Sequence, residues 1–166
     1  MASKKFGLFK MLFPFAVAGT VATTDHYLKG KFDRELPTDS SKGIKKGHLV
    51  LRKLHNKGGF LGFGEKYSKE MIGVSIFGTA ISFFSLLGAC ARRGRFFEKA
   101  GYAFILGGAA SNTYDRVKKG YVIDYASLDV KPKKIKNIVF NLSDVFIFFG
   151  SILVFISNLT SKDRVL

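Results

Sequence analysis

Apolar runs and charged stretches alternate along the chain on the scale of whole helices. Met71 to Ala91, MIGVSIFGTAISFFSLLGACA, contains no charged residue. At about 1.5 Å per residue, a helix of that length spans about 30 Å, the thickness of a bilayer's hydrocarbon core. Met11 to Thr24 is also uncharged but short; extended from Leu8 to Leu28 it reaches spanning length and takes in Lys10 and Asp25. Lys10 lies near enough to an end to snorkel. Ala100 to Tyr114 gains length from Phe96 and Phe97, and Ile138 to Ser161 is long with a single charge, Asp144. The pattern predicts an all-α membrane protein with four transmembrane helices, at about 8–28, 71–91, 96–115 and 138–160. They form a single integral membrane domain, residues 1–166, with both termini on one side. Gly73, Ser75, Gly78, Ala80, Ser82 and Ser85 in the second helix, and Gly107 to Ser111 in the third, are small residues that let helices approach closely in lipid.

The connections are polar and uneven. Loops at about 29–70 and 116–137 carry alternating or strand-like runs, Leu49 to Leu54 and Gly120 to Tyr125, with turn chemistry at Asn56-Lys57-Gly58-Gly59. They predict a small β element outside the bilayer. The short second loop holds Arg92, Arg93, Arg95 and Lys99, and a lysine cluster, Lys131, Lys133, Lys134 and Lys136, follows the second strand-like run. The first segment also resembles a secretory signal peptide, with Lys4, Lys5 and Lys10 before an apolar run ending in Ala16-Val17-Ala18. Leu87-Gly88-Ala89-Cys90 looks like a lipoprotein cleavage box but lies at the far end of an internal helix, where coincidence accounts for it.

Composition reconciles two opposed tendencies. The 166 residues carry a formal charge of +15, yet 47% are hydrophobic and 18 are Phe. Segregation along the sequence explains both: apolar residues fill helices and basic residues line the membrane surface, where they attract phospholipid headgroups rather than nucleic acid. Every loop is basic, so the positive-inside rule gives no clean orientation. One Cys and three scattered His leave neither a disulfide framework nor a metal site, and no cofactor is expected.

The minority charge carries the chemistry. Ionisable groups in or beside a bilayer are expensive. Asp25, Asp115, Asp124 and Asp144 fall at or near helix ends on one side of the four-helix arrangement. Asn112 and Asp115 are three apart, as are Asn141 and Asp144, so each pair shares a helix face, with Arg116 four from Asn112. Asp115 beside Arg116 reads as a structural pair capping the third helix. Two carboxyl groups with water between them can hydrolyse a peptide bond if one is ionised and the other protonated, which closeness and burial both favour.

The blocks GGAASNTYDRVKKGYVIDY (Gly107 to Tyr125) and FNLSDVFIFFG (Phe140 to Gly150) resemble the signature blocks of the lipoprotein signal peptidases, also called signal peptidase II. Asp25-His-Tyr-Leu-Lys29 resembles that family's D-Q-x-x-K, and Asn56-Lys-Gly-Gly-Phe60 its N-x-G-A-[AF]. The resemblance implies an intramembrane aspartyl endopeptidase that removes signal peptides from prolipoproteins, cutting before the diacylglyceryl-modified cysteine. It implies that Asp124 and Asp144 are the catalytic pair. Asn112, Asp115, Arg116 and Asn141 would shape the site and hold substrate, with Asp25, Asn56 and Gly58 in support. It further implies a bacterial cytoplasmic-membrane protein, a monomer, with the active site and β element extracytoplasmic. Its partners would be the lipid-modified precursor and membrane phospholipid. Departures mark a divergent member: Ser143 stands in an Ala position, Ser111 in a Gly position, His26 for Gln and Gly59 for Ala. Two other readings stand beside this one: a small proton- or ion-coupled transporter using Asp144 and Asp25 as a relay, and a catalytically inactive lipoprotein-binding relative.

Overall fold

The computed structural model describes residues 2–37, 44–46, 48–59, 64–131 and 138–162. Four long helices occur among them: α1 (Ala2–Glu35), α2 (Ser68–Ala91), α3 (Phe96–Lys119) and α4 (Leu142–Lys162). Strands β1 (Ile44–Lys46), β2 (Leu49–Asn56) and β3 (Val122–Leu128) form an antiparallel sheet in the order β1-β2-β3. The alternating runs of both long loops therefore form strands that pair with each other, with Asn56 opposite Val122 and Leu54 opposite Asp124. Phe60 and the lysines Lys133, Lys134 and Lys136 lie outside the described residues, as do the side chains of Lys4, Lys5 and Lys10.

Two helical stretches, Glu65–Ala91 and Leu142–Thr160, are long and apolar enough to cross a membrane. Their outward faces invert the pattern of a protein folded in water. Phe77 and Phe84 of α2 and Phe148 and Phe155 of α4 are all more than 60% exposed. Polar residues turn inward instead: Asp25, Lys29 and Asp115 are fully buried.

Helix α3 sits at the centre, packed against α1, α2 and α4. Close approach depends on glycine. A Cβ at Gly101 would lie 2.7 Å from the Gly150 carbonyl oxygen, and one at Gly150 would lie 2.6 Å from that of Gly101. Gly108 meets the Ser143 carbonyl in the same way, and Gly107 that of Ala18. Small-residue contacts thus draw α3 against α4 and α1. At this end of the bundle Ala18, Leu86, Ala103 and Leu106 form an apolar cluster. The basic α2–α3 loop closes on buried Glu98, which accepts from Arg92 at 2.7 Å and Arg95 at 3.1 Å.

Several boundaries differ from the sequence reading. Helix α1 continues to Glu35 rather than stopping near residue 28, because the polar groups at its far end find buried partners. Asp25 is therefore ten residues inside the helix, not at its end. Helix α2 begins at Ser68, and α3 runs to Lys119, where Gly120 adopts φ 81° and its N–H closes on the Arg116 carbonyl. Helix α4 starts at Leu142 rather than near residue 138, for a reason that lies in the site. The small residues of α2 do not all serve packing. Nothing lies within 4 Å of a Cβ built on Gly73 or Gly78.

Candidate active site

The site forms where the sheet meets the bundle. Tyr125 of β3 stacks on Phe32 of α1 with ring centroids 4.7 Å apart. Phe140 then pairs with Ala126 through backbone hydrogen bonds of 2.7 and 2.9 Å. This short bridge returns the chain from β3 to the start of α4 and sets Asn141 beside Asp124. Asp25, Asn56, Gly58, Asn112, Asp115, Arg116, Asp124, Asn141 and Asp144 converge there through the contacts below.

Asn141 and Asp144 form a reciprocal cap rather than sharing a helix face. The Asp144 N–H donates to Asn141 Oδ1 at 3.0 Å, and the Asn141 N–H donates to Asp144 Oδ2 at 3.0 Å. Asn141 is thus the N-cap and Asp144 the third helical residue, and together they satisfy donors that a helix start leaves orphaned. This is why α4 begins where it does. The Asn141 amide is left free to work: its Nδ2 donates to Asp124 Oδ1 at 2.7 Å and to Asn112 Oδ1 at 3.2 Å.

Asp124, 2% exposed on β3, receives a second amide from Asn56, whose Nδ2 donates to Oδ2 at 3.0 Å. Asn56 is both turn and ligand. Its Oδ1 accepts the Gly58 N–H at 2.9 Å, and the Gly58 carbonyl in turn accepts from Arg116 Nη2 at 2.6 Å. Burial, and then the neighbouring Asp144, push the Asp124 carboxyl up to about 7, against the two amides that favour its ionised form.

Behind the pair lies a buried polar network. Lys29 Nζ reaches Asp25 Oδ2 at 2.8 Å, Asp115 Oδ2 at 3.4 Å and Asn112 Oδ1 at 2.6 Å. An ammonium can only donate, so it fixes the Asn112 amide with its oxygen inward. Asn112 Nδ2 then donates to Asp144 Oδ1 at 3.1 Å. Asp115 pairs with Lys29 and with Lys119, the latter at 3.0 Å, so its expected role as a cap partner of Arg116 is corrected. Asp25 also accepts from Ser111, Ser143 and the Tyr125 hydroxyl. Among the described residues there is no cluster of three or more His, Cys, Asp or Glu suited to a metal ion.

A cleft of about 470 Å³ opens beside Asp144 between α2, α3 and α4. Gly78, Ser75, Thr79, Thr113, Ile147 and Phe148 line it, with Asn112 and Arg116 at its polar end. Gly78 is thus small where a groove needs width. Lys29, Ser111, Ser143 and Tyr125 were not among the site residues drawn from the sequence. Lys29 and Tyr125 both stand inside the quoted blocks, and Lys29 also has its four-residue spacing from Asp25 on a helix. The serines registered as departures, and nothing local brings them together.

The family model for signal peptidase (SPase) II matches residues 17–160. A lipoprotein signal peptidase of Caldicellulosiruptor bescii is 32% identical over 116 residues, covering 70% of this chain and 71% of that protein. One from Microcystis aeruginosa is 44% identical over 68 residues, 41% of each chain. Among solved structures, a bacterial membrane enzyme determined by the in meso method at 2.3 Å aligns with a TM-score of 0.75 and 20% identity. It covers 93% of this chain and 92% of its own. A second such enzyme, at 1.9 Å, aligns at 0.68 over 89% and 92%. These last two likenesses show a shared fold. With the sequence match spanning most of the chain, the protein belongs to the signal peptidase II family, aspartyl endopeptidases that remove signal peptides from prolipoproteins.

Proposed function

We propose that Asp124 and Asp144 are the catalytic pair with which this aspartyl endopeptidase cuts a prolipoprotein signal peptide just before the lipid-modified cysteine. The observation that carries the reading is the shared amide frame. Asn141 and Asn56 hold Asp124, while Asn112 and the Asn141 N–H hold Asp144. Four carboxyl groups, Asp25, Asp115, Asp124 and Asp144, face Lys29, Arg116 and Lys119, a balance met by one proton on the pair. Asp124 keeps that proton, consistent with its shift to about 7. Asp144, at the positive end of α4 with a backbone N–H on it, is the carboxylate.

Asp144 takes a proton from water as the water oxygen bonds to the scissile carbonyl carbon. Asp124 donates its proton to the carbonyl oxygen, giving a neutral tetrahedral diol. Collapse breaks the C–N bond. The amine leaves with the proton held by Asp144, and a diol hydroxyl returns its proton to Asp124. The cleft beside Asp144 receives the precursor's signal segment from the bilayer, small residues leaving width for it.

Helices α1 and α3 complete four spans. Their charges count against them in composition, but Asp25, Lys29 and Asp115 are buried where acyl chains do not meet them. The protein is a monomer of the bacterial inner membrane among phospholipids, and its exposed phenylalanines meet the acyl chains. Sheet and pair face the extracytoplasmic side. Family membership does not favour a transporter. Gel-shift processing of a lipidated precursor tests the pair. Wild-type protein cuts, and Asp124→Asn and Asp144→Asn insert but do not. Cutting by either variant would remove the assignment.

A further inference from the structure

Ser111 of α3 and Ser143 of α4 aim their hydroxyls at one atom on a third helix. Ser111 Oγ donates to Asp25 Oδ2 at 2.7 Å, and Ser143 Oγ donates to the same oxygen. Lys29 Nζ also reaches it, at 2.8 Å. The other carboxylate oxygen of Asp25 accepts from the Ser143 N–H at 3.2 Å and the Tyr125 hydroxyl at 3.3 Å. Asp25 and Ser143 are fully buried and Ser111 is 3% exposed, so solvent does not compete for these bonds.

The consequence runs through Lys29. Its ammonium has three protons but four acceptors in reach: Asp25, Asp115, Ser111 Oγ at 3.2 Å and Asn112 Oδ1 at 2.6 Å. How firmly it holds Asn112 depends on how strongly Asp25 draws it away. Two hydroxyls on Asp25 Oδ2 share that pull. We propose that Ser111 and Ser143 are positioning residues for the cleavage reaction: together they satisfy Asp25, which leaves Lys29 on Asn112 and keeps the Asn112 amide N–H on Asp144. The proposal rests on Asp144 being one of the catalytic pair. Both serines are departures from the motif blocks that this sequence resembles.

The test compares purified full-length wild type, Ser111→Ala, Ser143→Ala, the double Ala variant, Ser111→Thr and Asp144→Asn on a lipidated precursor in micelles. Rates are followed against substrate concentration and thermal unfolding is followed in parallel. Each Ala variant is expected to lower kcat about tenfold, as loosened alignment of a reacting group does, with KM within about twofold of wild type. The two losses do not multiply in the double variant, because both act on one oxygen. Ser111→Thr keeps the hydroxyl, and its added methyl has room in the α1–α3 cleft of about 620 Å³ that Ser111 borders, so kcat recovers. Wild-type kcat in the Ala variants overturns the proposal. So does a loss that only follows the fraction of folded protein, or a Ser111→Thr variant as slow as Ser111→Ala. Cutting by Asp144→Asn would instead remove the catalytic reading itself.

Discussion

The two ends of the helix bundle solve opposite problems. Around Ala18, Leu86, Ala103 and Leu106 the helices meet on small apolar surfaces, with Gly101 and Gly150 nearly in backbone contact. Around Lys29 the same helices meet on charges and amides, with Asp25 and Asp115 fully buried. One end packs and the other orients. In lipid, close packing supplies attraction without direction, whereas a buried ion pair is costly unless every partner is in place. The polar end therefore tolerates one geometry, which suits a site that must hold two carboxyl groups in register.

The largest break in this contrast should come from Lys29→Met, which leaves Asp25 buried without its cation and Asp115 with Lys119 alone. We expect a loss of about 3–5 kcal/mol, read as failure to recover folded protein or a steep fall in Tm. Asn141→Ala comes next. It removes the cap and an amide from Asp124 together, so cutting should fall about a hundredfold while the cap itself costs about 1 kcal/mol of stability. Gly150→Val tests the apolar end. Its side chain collides with Gly101 and Ile105, which should cost about 1–3 kcal/mol in unfolding measurements while the surviving folded protein keeps its KM. The pH profile sharpens the polar end. With Asp124 as the proposed acid and burial raising its carboxyl to about 7, kcat/KM should fall as pH rises through about 7, tending to tenfold per unit above it. A profile flat to pH 9 would reject Asp124 as the acid. The smallest effect belongs to Phe84→Ala on the outward face of α2, within about 0.5 kcal/mol and without kinetic change.

The apolar end was more legible in the sequence than the polar one. Apolar runs of helical length, one uncharged and one with the single charge Asp144, mark α2 and α4, and the Gly107–Ser111 stretch marks a close-packed face, because those signals are local. Motif blocks located the residues of the candidate pair but not their geometry. Asn141 and Asp144, three apart, read as a shared face; in fact the first ends the extended chain and the second lies inside the helix it caps. Helix α1 was cut short at its charges, since the partners that make Asp25 and Lys29 tolerable lie more than 80 residues away. Gly78 read as packing, yet it borders open space. The α1 miss depends on contacts between distant segments, which no single window of sequence contains; the cap turns on where a helix starts, and Gly78 on what is missing beside it.

Asn141 also ties the proposed catalytic pair to the nucleation of a helix. The group that starts α4 is the group that steadies Asp124, so the first turn cannot fray while the pair stays assembled. Warming should therefore silence the enzyme before the bundle melts, as a local opening confined to one turn. Amide exchange at Ser143 and Asp144 would then rise at the temperature where cutting stops.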